Sequence, residues 1–180
     1  MIFTPTDLPG VLVIDLERLE DERGFFARSF CQDELARHGL NPNVNQCNIS
    51  FNGQRGTLRG LHRQTAPWEE AKLIRCERGA IFDVALDLRK GSPTFLKHFS
   101  AVLDEENRRM VYIAEGIHHG FLTLRDNTQV FYQMSESYHP EAATGVRWDD
   151  PAFGIAWPEP IRAISARDSS YPDTNLKDLK

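Results

Sequence analysis

The chain has 180 residues, of which 41% are apolar and 26% are charged, and its formal net charge is −5. This length predicts one domain over residues 1–180, large enough to form a core without disulfides or metals. The acidic balance without a basic stripe argues against a nucleic-acid partner, and no apolar run approaches the ~18 residues needed to cross a membrane. Cys31, Cys47 and Cys76 show no C-x-x-C spacing, and the N-terminus lacks a secretory signal, which together predict free thiols in a reducing cytoplasm.

Short apolar segments separated by turn residues run along most of the chain. The clearest, residues 80–89, alternates with a period of two, and we expect the turn at Arg78-Gly79 to join it to residues 71–77 as a hairpin. This rhythm predicts an all-β sandwich or barrel. One short helix is predicted at residues 32–38, closed by Gly39, and a polar irregular tail from about residue 169. The predicted strands are residues 11–16, 25–30, 44–50, 57–64, 71–77, 80–89, 95–103, 109–113, 120–124 and 129–135.

The segment from Arg59 to Gln64 carries the densest set of chemically useful side chains. In a regular strand Arg59 and His62 would point to opposite faces, but a bulge at Gly60 would bring both to one face. The alternative is an edge strand with ordinary surface charges. The residues alone leave both interpretations open.

Lys72 lies in an otherwise apolar predicted strand. A lysine that points into a barrel costs several kcal/mol unless it is paired, and Asp83 on the neighbouring hairpin strand could be its partner. The alternative is that this face of the sheet meets solvent, as one face of an antiparallel sheet commonly does.

The remaining candidates are weaker when each is taken alone. His118 and His119 are adjacent, so on a strand they face opposite ways and make poor metal co-ligands, and no metal site is predicted. Tyr132 could simply pack in the core with its hydroxyl group hydrogen-bonded.

Nine segments of the chain, taken together, match the motifs of a known family in the family's order. The chain resembles the dTDP-4-dehydrorhamnose 3,5-epimerase family of nucleotide-sugar epimerases across nearly its whole length. The matching segments are residues 21–26, 46–50, 58–62, 72–76, 82–87, 92–95, 115–121, 145–151 and 155–158.

The resemblance implies a cupin-type double-stranded β-helix, or jelly roll, with one or two short helices. It also implies a homodimer with exchanged N-terminal strands, a nucleotide-sugar substrate, and neither a metal nor an organic cofactor. The expected activity is epimerisation at C3, C5 or both of a dTDP-4-keto-6-deoxy-hexose, by proton removal and return from the opposite face. Two alternatives are an epimerase that acts at one carbon of another nucleotide-linked 4-keto sugar, and a sugar-binding cupin without activity.

The resemblance also assigns roles to single residues. It makes His62 the catalytic base, Asp168 the carboxylate that orients it, Tyr132 the general acid, and Lys72 the group that faces the enolate oxygen. Arg23 is expected to reach the site of the partner subunit. The expected substrate-binding residues are Arg23, Gln46, Asn48, Arg59, Asp83, His119, Tyr138 and Arg167.

Several positions depart from the family's usual pattern. Arg28 and one of residues 143–144 replace glutamates, Arg63 replaces an aromatic residue, and Ala114 and His118 replace proline and alanine. None of these is a proposed proton-transfer residue. They leave open which sugar is bound and which carbons are inverted.

Overall fold

Short strands follow one another along the chain in the computed structural model, which describes residues 1–174. Most of them coincide with the alternating segments of the sequence, because a period of two places one face of each strand in the core. The elements are β1 (Ile2–Pro5), β2 (Val11–Asp15), β3 (Leu19–Asp21), β4 (Gly24–Phe26), α1 (Gln32–Arg37), β5 (Gln46–Asn52), β6 (Thr57–Gln64), β7 (Lys72–Arg78), β8 (Ala80–Leu86), β9 (His98–Asp104), β10 (Met110–Ile113), β11 (His118–Thr123), β12 (Thr128–Met134), β13 (Ala143–Gly145), β14 (Ala163–Ile164) and α2 (Ala166–Ser169).

Two six-stranded sheets face each other. The first has the order β1-β2-β10-β7-β12-β5, and the second has the order β13-β6-β11-β8-β9, with β14 pairing in parallel with β6. One core cluster joins Ile74 and Val130 of the first sheet to Ile81, Leu103 and Phe121 of the second. The strands β3 and β4 form a separate hairpin. The prediction of an all-β, cupin-type jelly roll with one or two short helices is confirmed.

The strand boundaries differ from the prediction where side chains close a turn. The strand predicted at 80–89 ends at Leu86, because the buried carboxylate of Asp87 accepts hydrogen bonds from Arg89 and Ser92 and draws the following residues into a loop. The strand predicted at 25–30 ends at Phe26. The helix prediction is confirmed, with Gly39 in the left-handed region just after α1. The elements β1, β3, β13, β14 and α2 were not predicted.

The predicted hairpin of β7 and β8 is wrong. β7 pairs with β10 and β12 in the first sheet, whereas β8 pairs with β9 and β11 in the second. Gly79 has a φ of +78° and takes the chain from one sheet to the other, packed so closely that a Cβ there would clash with the hydroxyl oxygen of Thr128. A period of two identifies a strand but not its neighbours. Because β8 lies in the other sheet, Asp83 is not the cross-strand neighbour of Lys72 that a hairpin would have made it.

The C-terminal segment was predicted as an irregular tail from about residue 169. Residue Ser169 ends helix α2, and residues 170–174 have no regular secondary structure. The rest of that predicted tail, residues 175–180, lies outside the described residues. Within residues 1–174, no helix has the length and apolar character required to span a membrane.

Candidate active site

A cavity of about 640 Å³ opens between the two sheets. Strands β5, β7 and β12 supply one wall, β6 and β11 supply the other, and α2 closes part of the rim. Most of the residues predicted for the site come together here. Those that line the cavity are Gln46, Asn48, Arg59, His62, Lys72, His119, Tyr132, Tyr138, Arg167 and Asp168.

A bulge at Gly60 brings Arg59 and His62 to the cavity together. His62 lies opposite His119, and Arg59 lies opposite Phe121, so three steps along β6 match two steps along β11. A Cβ on Gly60 would lie 2.5 Å from the Cα of Gly120, so that only glycine fits this crossing. The predicted bulge is confirmed, and the alternative of an edge strand is wrong because β6 lies between β13 and β11.

His62 and Asp168 form a hydrogen-bonded pair at one side of the cavity. The Nε2 atom of His62 lies 2.7 Å from Oδ1 of Asp168, and Oδ2 of Asp168 accepts a hydrogen bond from the Gly60 amide at 3.2 Å. Burial opposes ionisation of Asp168, but these hydrogen bonds outweigh it and lower its pKa. With Nε2–H directed at a carboxylate, Nδ1 of His62 carries a lone pair that can accept a proton.

Tyr132 lies on the opposite wall, in the middle of β12. Its neighbours across the sheet are Asn48 of β5 and Ile74 of β7. Burial raises the pKa of the Tyr132 phenol, while the nearby Arg59 acts in the opposite direction. The phenol therefore keeps its proton at neutral pH and can donate it into the cavity.

Lys72 is buried, with 6% of the residue exposed, so the solvent-facing alternative is wrong. Its partner is also not the predicted one. The ammonium group donates a hydrogen bond to Oε1 of Glu70, which lies two residues earlier, on the segment leading into β7. Burial lowers the pKa of Lys72, and the Glu70 carboxylate opposes that effect.

Asp83 lies behind the cavity wall. It is buried, and its Oδ1 lies 2.7 Å from Nε2 of His119, which does line the cavity. Asp83 was predicted as a substrate-binding residue, but β8 directs its carboxylate to His119 rather than into the cavity. Its place in the site is to hold the His119 ring.

The rim of the cavity is built from side chains that hold one another. The side-chain oxygen of Gln46 accepts a hydrogen bond from the Tyr138 amide at 3.0 Å, and its Nε2 donates to Asn48 at 3.1 Å. Arg59 is held by Asn52 at 2.7 Å, and Arg167 donates to the carbonyl of residue 143 at 3.0 Å. Two fixed guanidinium groups at a cavity mouth suit a phosphorylated ligand.

Arg23 does not reach this cavity. It lies in the turn of the β3–β4 hairpin, where it pairs with Asp21, and 83% of its side chain is exposed. Arg23 is therefore not one of the residues that line the cavity of its own chain.

The positions that depart from the family pattern fall in different places. Arg63 and Ala143 line the cavity, whereas His118 is buried behind its wall, on the face of β11 opposite to His119.

Within the part of the chain that the structure describes, no group of three or more His, Cys, Asp or Glu side chains is arranged to hold a metal.

Sequence reasoning assigned no individual site role to Glu70, Gln64 or Ser165. Glu70 pairs with Lys72, Gln64 lines the cavity, and the Ser165 hydroxyl accepts a hydrogen bond from the Asp168 amide at 3.0 Å and so begins α2. Glu70 had a usable signal, because it stands two residues before a lysine in an apolar segment, and Gln64 ends the segment that begins at Arg59. The serine stands three residues before Asp168, but no apolar run follows it to mark a helix.

Comparisons with known proteins point to one family. The model of the dTDP-4-dehydrorhamnose 3,5-epimerase family matches residues 5–176. A dTDP-4-dehydrorhamnose 3,5-epimerase of Methanothermobacter thermautotrophicus is 43% identical over 99% of this chain and 94% of its own length.

Solved structures agree. A 4-keto-6-deoxy sugar epimerase of Streptomyces spheroides superposes with a TM-score of 0.89 at 38% identity, over 95% of this chain and 86% of that one. A 3'-monoepimerase of Streptomyces bikiniensis, in complex with dTDP-quinovose, superposes with a TM-score of 0.87 at 33% identity, over 94% and 86%. The chain belongs to the dTDP-4-dehydrorhamnose 3,5-epimerase family of isomerases.

Proposed function

We propose that this protein epimerises a dTDP-linked 4-keto-6-deoxy-hexose at C3, C5 or both. One observation carries the proposal. The cavity lies between a histidine paired with a carboxylate, His62 with Asp168, and a protonated phenol on the facing sheet, Tyr132. Inversion of a carbon needs a base on one side and an acid on the other, and this arrangement supplies both.

The reaction follows from the acidity of protons beside a ketone. His62 removes a proton from the carbon next to the C4 carbonyl, the electron pair moves onto the carbonyl oxygen, and an enolate forms. Asp168 stabilises the imidazolium that results. Tyr132 then delivers its proton to the opposite face of the carbon, which inverts it.

Lys72 is proposed to face the developing enolate oxygen. A fixed ammonium group in a dry cavity stabilises negative charge far better than water does. Lys72 is buried at the cavity wall, where its ammonium group donates a hydrogen bond to Glu70. All of these steps use groups of the chain itself, so we propose that no metal or organic cofactor takes part.

The nucleotide end of the substrate is assigned to the rim. Arg59 and Arg167 are proposed to bind the diphosphate, since guanidinium groups pair with phosphate in a bidentate manner. Gln46, Asn48 and Tyr138 are proposed to contact the base and sugars, and His119, oriented by Asp83, to contact the hexose. The support is that each lines the cavity except Asp83, which holds His119.

Action at a single carbon is the second candidate. Two observations favour keeping it: Arg63 and Ala143, which depart from the family pattern, both line the cavity, and a similar solved structure is that of a 3'-monoepimerase. A side chain that shifts the hexose by one carbon would change which proton meets His62.

We propose a homodimer, each subunit being a single domain, in which the β3–β4 hairpin reaches the partner subunit. Arg23 is exposed and does not line the cavity of its own chain, and the neighbouring Phe26 is 72% exposed. Strand β5 ends its sheet and presents Ile49 and Phe51 to solvent, a surface that a second subunit would cover.

A cytoplasmic location is proposed from the thiols. Cys31, Cys47 and Cys76 are all free. Burial raises the pKa of the Cys76 thiol to about 12, so it stays protonated and unreactive. Free cysteines are typical of proteins in a reducing compartment.

Product analysis tests this function directly. The purified protein, dialysed against a chelator, is incubated with dTDP-4-keto-6-deoxyglucose, and NMR identifies the configuration at C3 and C5. We expect inversion at one or both carbons, with no loss after chelation. Tight binding of the nucleotide sugar without any inversion would indicate a sugar-binding cupin, and restoration of activity by added metal would overturn the cofactor-free mechanism.

A further inference from the structure

The cavity holds a second buried carboxylate that the mechanism above does not use. Among the cavity-lining residues in the described range 1–174, the acidic side chains are Asp168 and Glu70. The Glu70 side chain is 3% exposed. Its Oε1 accepts a hydrogen bond from the Lys72 ammonium group, and its Oε2 accepts one from the backbone amide of Gln64 at 3.0 Å.

This geometry ties the two sheets together at the position of Lys72. Glu70 precedes β7 of the first sheet, whereas Gln64 ends β6 of the second, the strand that carries His62. The carboxylate is thus fixed by the backbone of one wall while it holds the ammonium group of the other. Both carboxylate oxygens have a donor, so the side chain has little freedom to move away.

The charges around Lys72 make this carboxylate important. Burial lowers the pKa of Lys72, Arg63 on β6 lowers it further, and Glu70 is the group that raises it. His118 on β11 adds no charge near neutral pH, because burial lowers its pKa to about 3. Without the Glu70 carboxylate, the ammonium group of Lys72 would keep the unfavourable effects of burial and of Arg63 and would lose the group that offsets them.

We propose that Glu70 is a positioning residue that keeps Lys72 protonated and directed at the reacting carbonyl. This inference rests on the proposed role of Lys72 in the epimerase. The two acids of the cavity then have separate roles, since Asp168 serves the base and Glu70 serves the group that stabilises the enolate. Glu70 acts through Lys72 and does not itself exchange a proton with the sugar.

Glu70→Gln tests the inference, with Glu69→Gln as the matched control. Glu69 is adjacent, and its side chain is 39% exposed with Oε1 3.9 Å from Arg63. We expect Glu70→Gln to lower kcat by about 10-fold or more while KM changes little, because the amide keeps the shape but not the charge. The rate needs the ammonium form, so the fall of kcat at alkaline pH should begin about one pH unit lower.

A role in folding alone would lower the amount of active enzyme without moving the alkaline limb of the pH profile, the range over which kcat falls. That outcome would overturn the inference. Glu70→Asp, which restores the charge, should return the limb toward that of the wild type. Glu69→Gln should leave both kcat and the limb unchanged.

A second set of variants separates the inference from the function itself. In a Lys72→Gln background, adding Glu70→Gln should lower kcat no further, since the two residues act as a unit. An additional loss of similar size would assign Glu70 an independent role and refute the proposal. Failure of the wild-type enzyme to invert any carbon would instead refute the proposed function.

A measurement on the wild-type protein covers the case in which Glu70→Gln does not fold. Nitrogen NMR of the lysine ammonium groups, with Lys72→Gln used to assign the signal, reports the protonation of Lys72 directly. We expect a charged ammonium group at pH 8. A neutral amine at that pH would overturn the inference.

Discussion

His118 and His119 are neighbours on β11, yet the two rings meet opposite environments. His119 lines the cavity and pairs with Asp83, whereas His118 is buried on the other face, where its Nδ1 has no hydrogen-bond partner within the described residues. Burial, together with the charges of Arg63 and Lys72, lowers the pKa of His118 to about 3. A ring that must stay neutral in the folded protein makes stability depend on pH.

The free energy of unfolding is therefore expected to fall as the pH drops. In the unfolded chain His118 takes up a proton near pH 6.5, but in the folded protein it does so only near pH 3, so acid favours unfolding between these values. The expected loss is about 2 kcal/mol between pH 7.5 and pH 5. The pKa values of Asp87 and Asp168 are lowered, so these carboxylates change the free energy of unfolding only at a pH below about 5.

Urea unfolding of the wild type and of His118→Leu at both pH values checks this. His118→Leu should lose most of the dependence, and His38→Asn, at an exposed position after α1, should keep it. An equal dependence in all three proteins would show that His118 is not the responsible group.

At the scale of the element, the bulge in β6 sets the geometry of the site. Gly60→Ala would place a methyl group 2.5 Å from the Cα of Gly120, at a φ of +127° that side chains other than glycine's rarely adopt. We expect a loss of about 3 kcal/mol in stability, and a larger loss of activity, because Arg59 and His62 would no longer share one face.

Gly53→Ala is the control for this substitution. Its added Cβ meets nothing within 4 Å. Thermal unfolding and turnover should both stay close to those of the wild type in this variant. If Gly60→Ala behaved in the same way, the bulge would not be needed for the site.

The strands and the bulge could be predicted because both depend on local sequence: alternation marks a strand, and a glycine inside a strand segment marks a bulge. The partner of Lys72 could not be predicted in the same way. Its identity depends on which strands are neighbours, and Arg78-Gly79 leads to the other sheet instead of a hairpin. Glu70, before the strand, therefore pairs with Lys72 in place of Asp83.

The roles of His62, Tyr132 and Asp168 depended on the family resemblance. The residues alone left the His62 segment as a possible edge strand and Tyr132 as a possible core residue, and they did not mark Asp168 as an active-site acid. The structure places these side chains around one cavity. Their chemical roles stay predictions until the variants are measured.

At the scale of the whole molecule, the site is proposed to need two subunits. If Arg23 serves the partner's cavity, Arg23→Ala and His62→Ala damage different parts of a shared site. Each variant alone should have little activity. After the two are unfolded and refolded together, half of the dimers are mixed, each with one complete site, and about a quarter of the wild-type activity should return.

Activity that stays at the level of the separate variants, in dimers shown by mass spectrometry to be mixed, would place Arg23 and His62 in the same subunit's site. A monomer with full activity in sedimentation would also contradict the shared site.

Inversion is proposed to need His62 and Tyr132 on opposite walls of the cavity, and exchange with solvent deuterium distinguishes the two residues' roles. In D₂O with dTDP-4-keto-6-deoxyglucose, His62→Ala should incorporate no deuterium at any carbon, because no enolate forms. Tyr132→Phe should still exchange a proton through His62, while inversion falls by roughly 10²-fold or more, the scale of one lost acid–base group. Both variants should bind dTDP as the wild type does. Inversion at the wild-type rate by Tyr132→Phe would contradict the account, because the acid would then be another group.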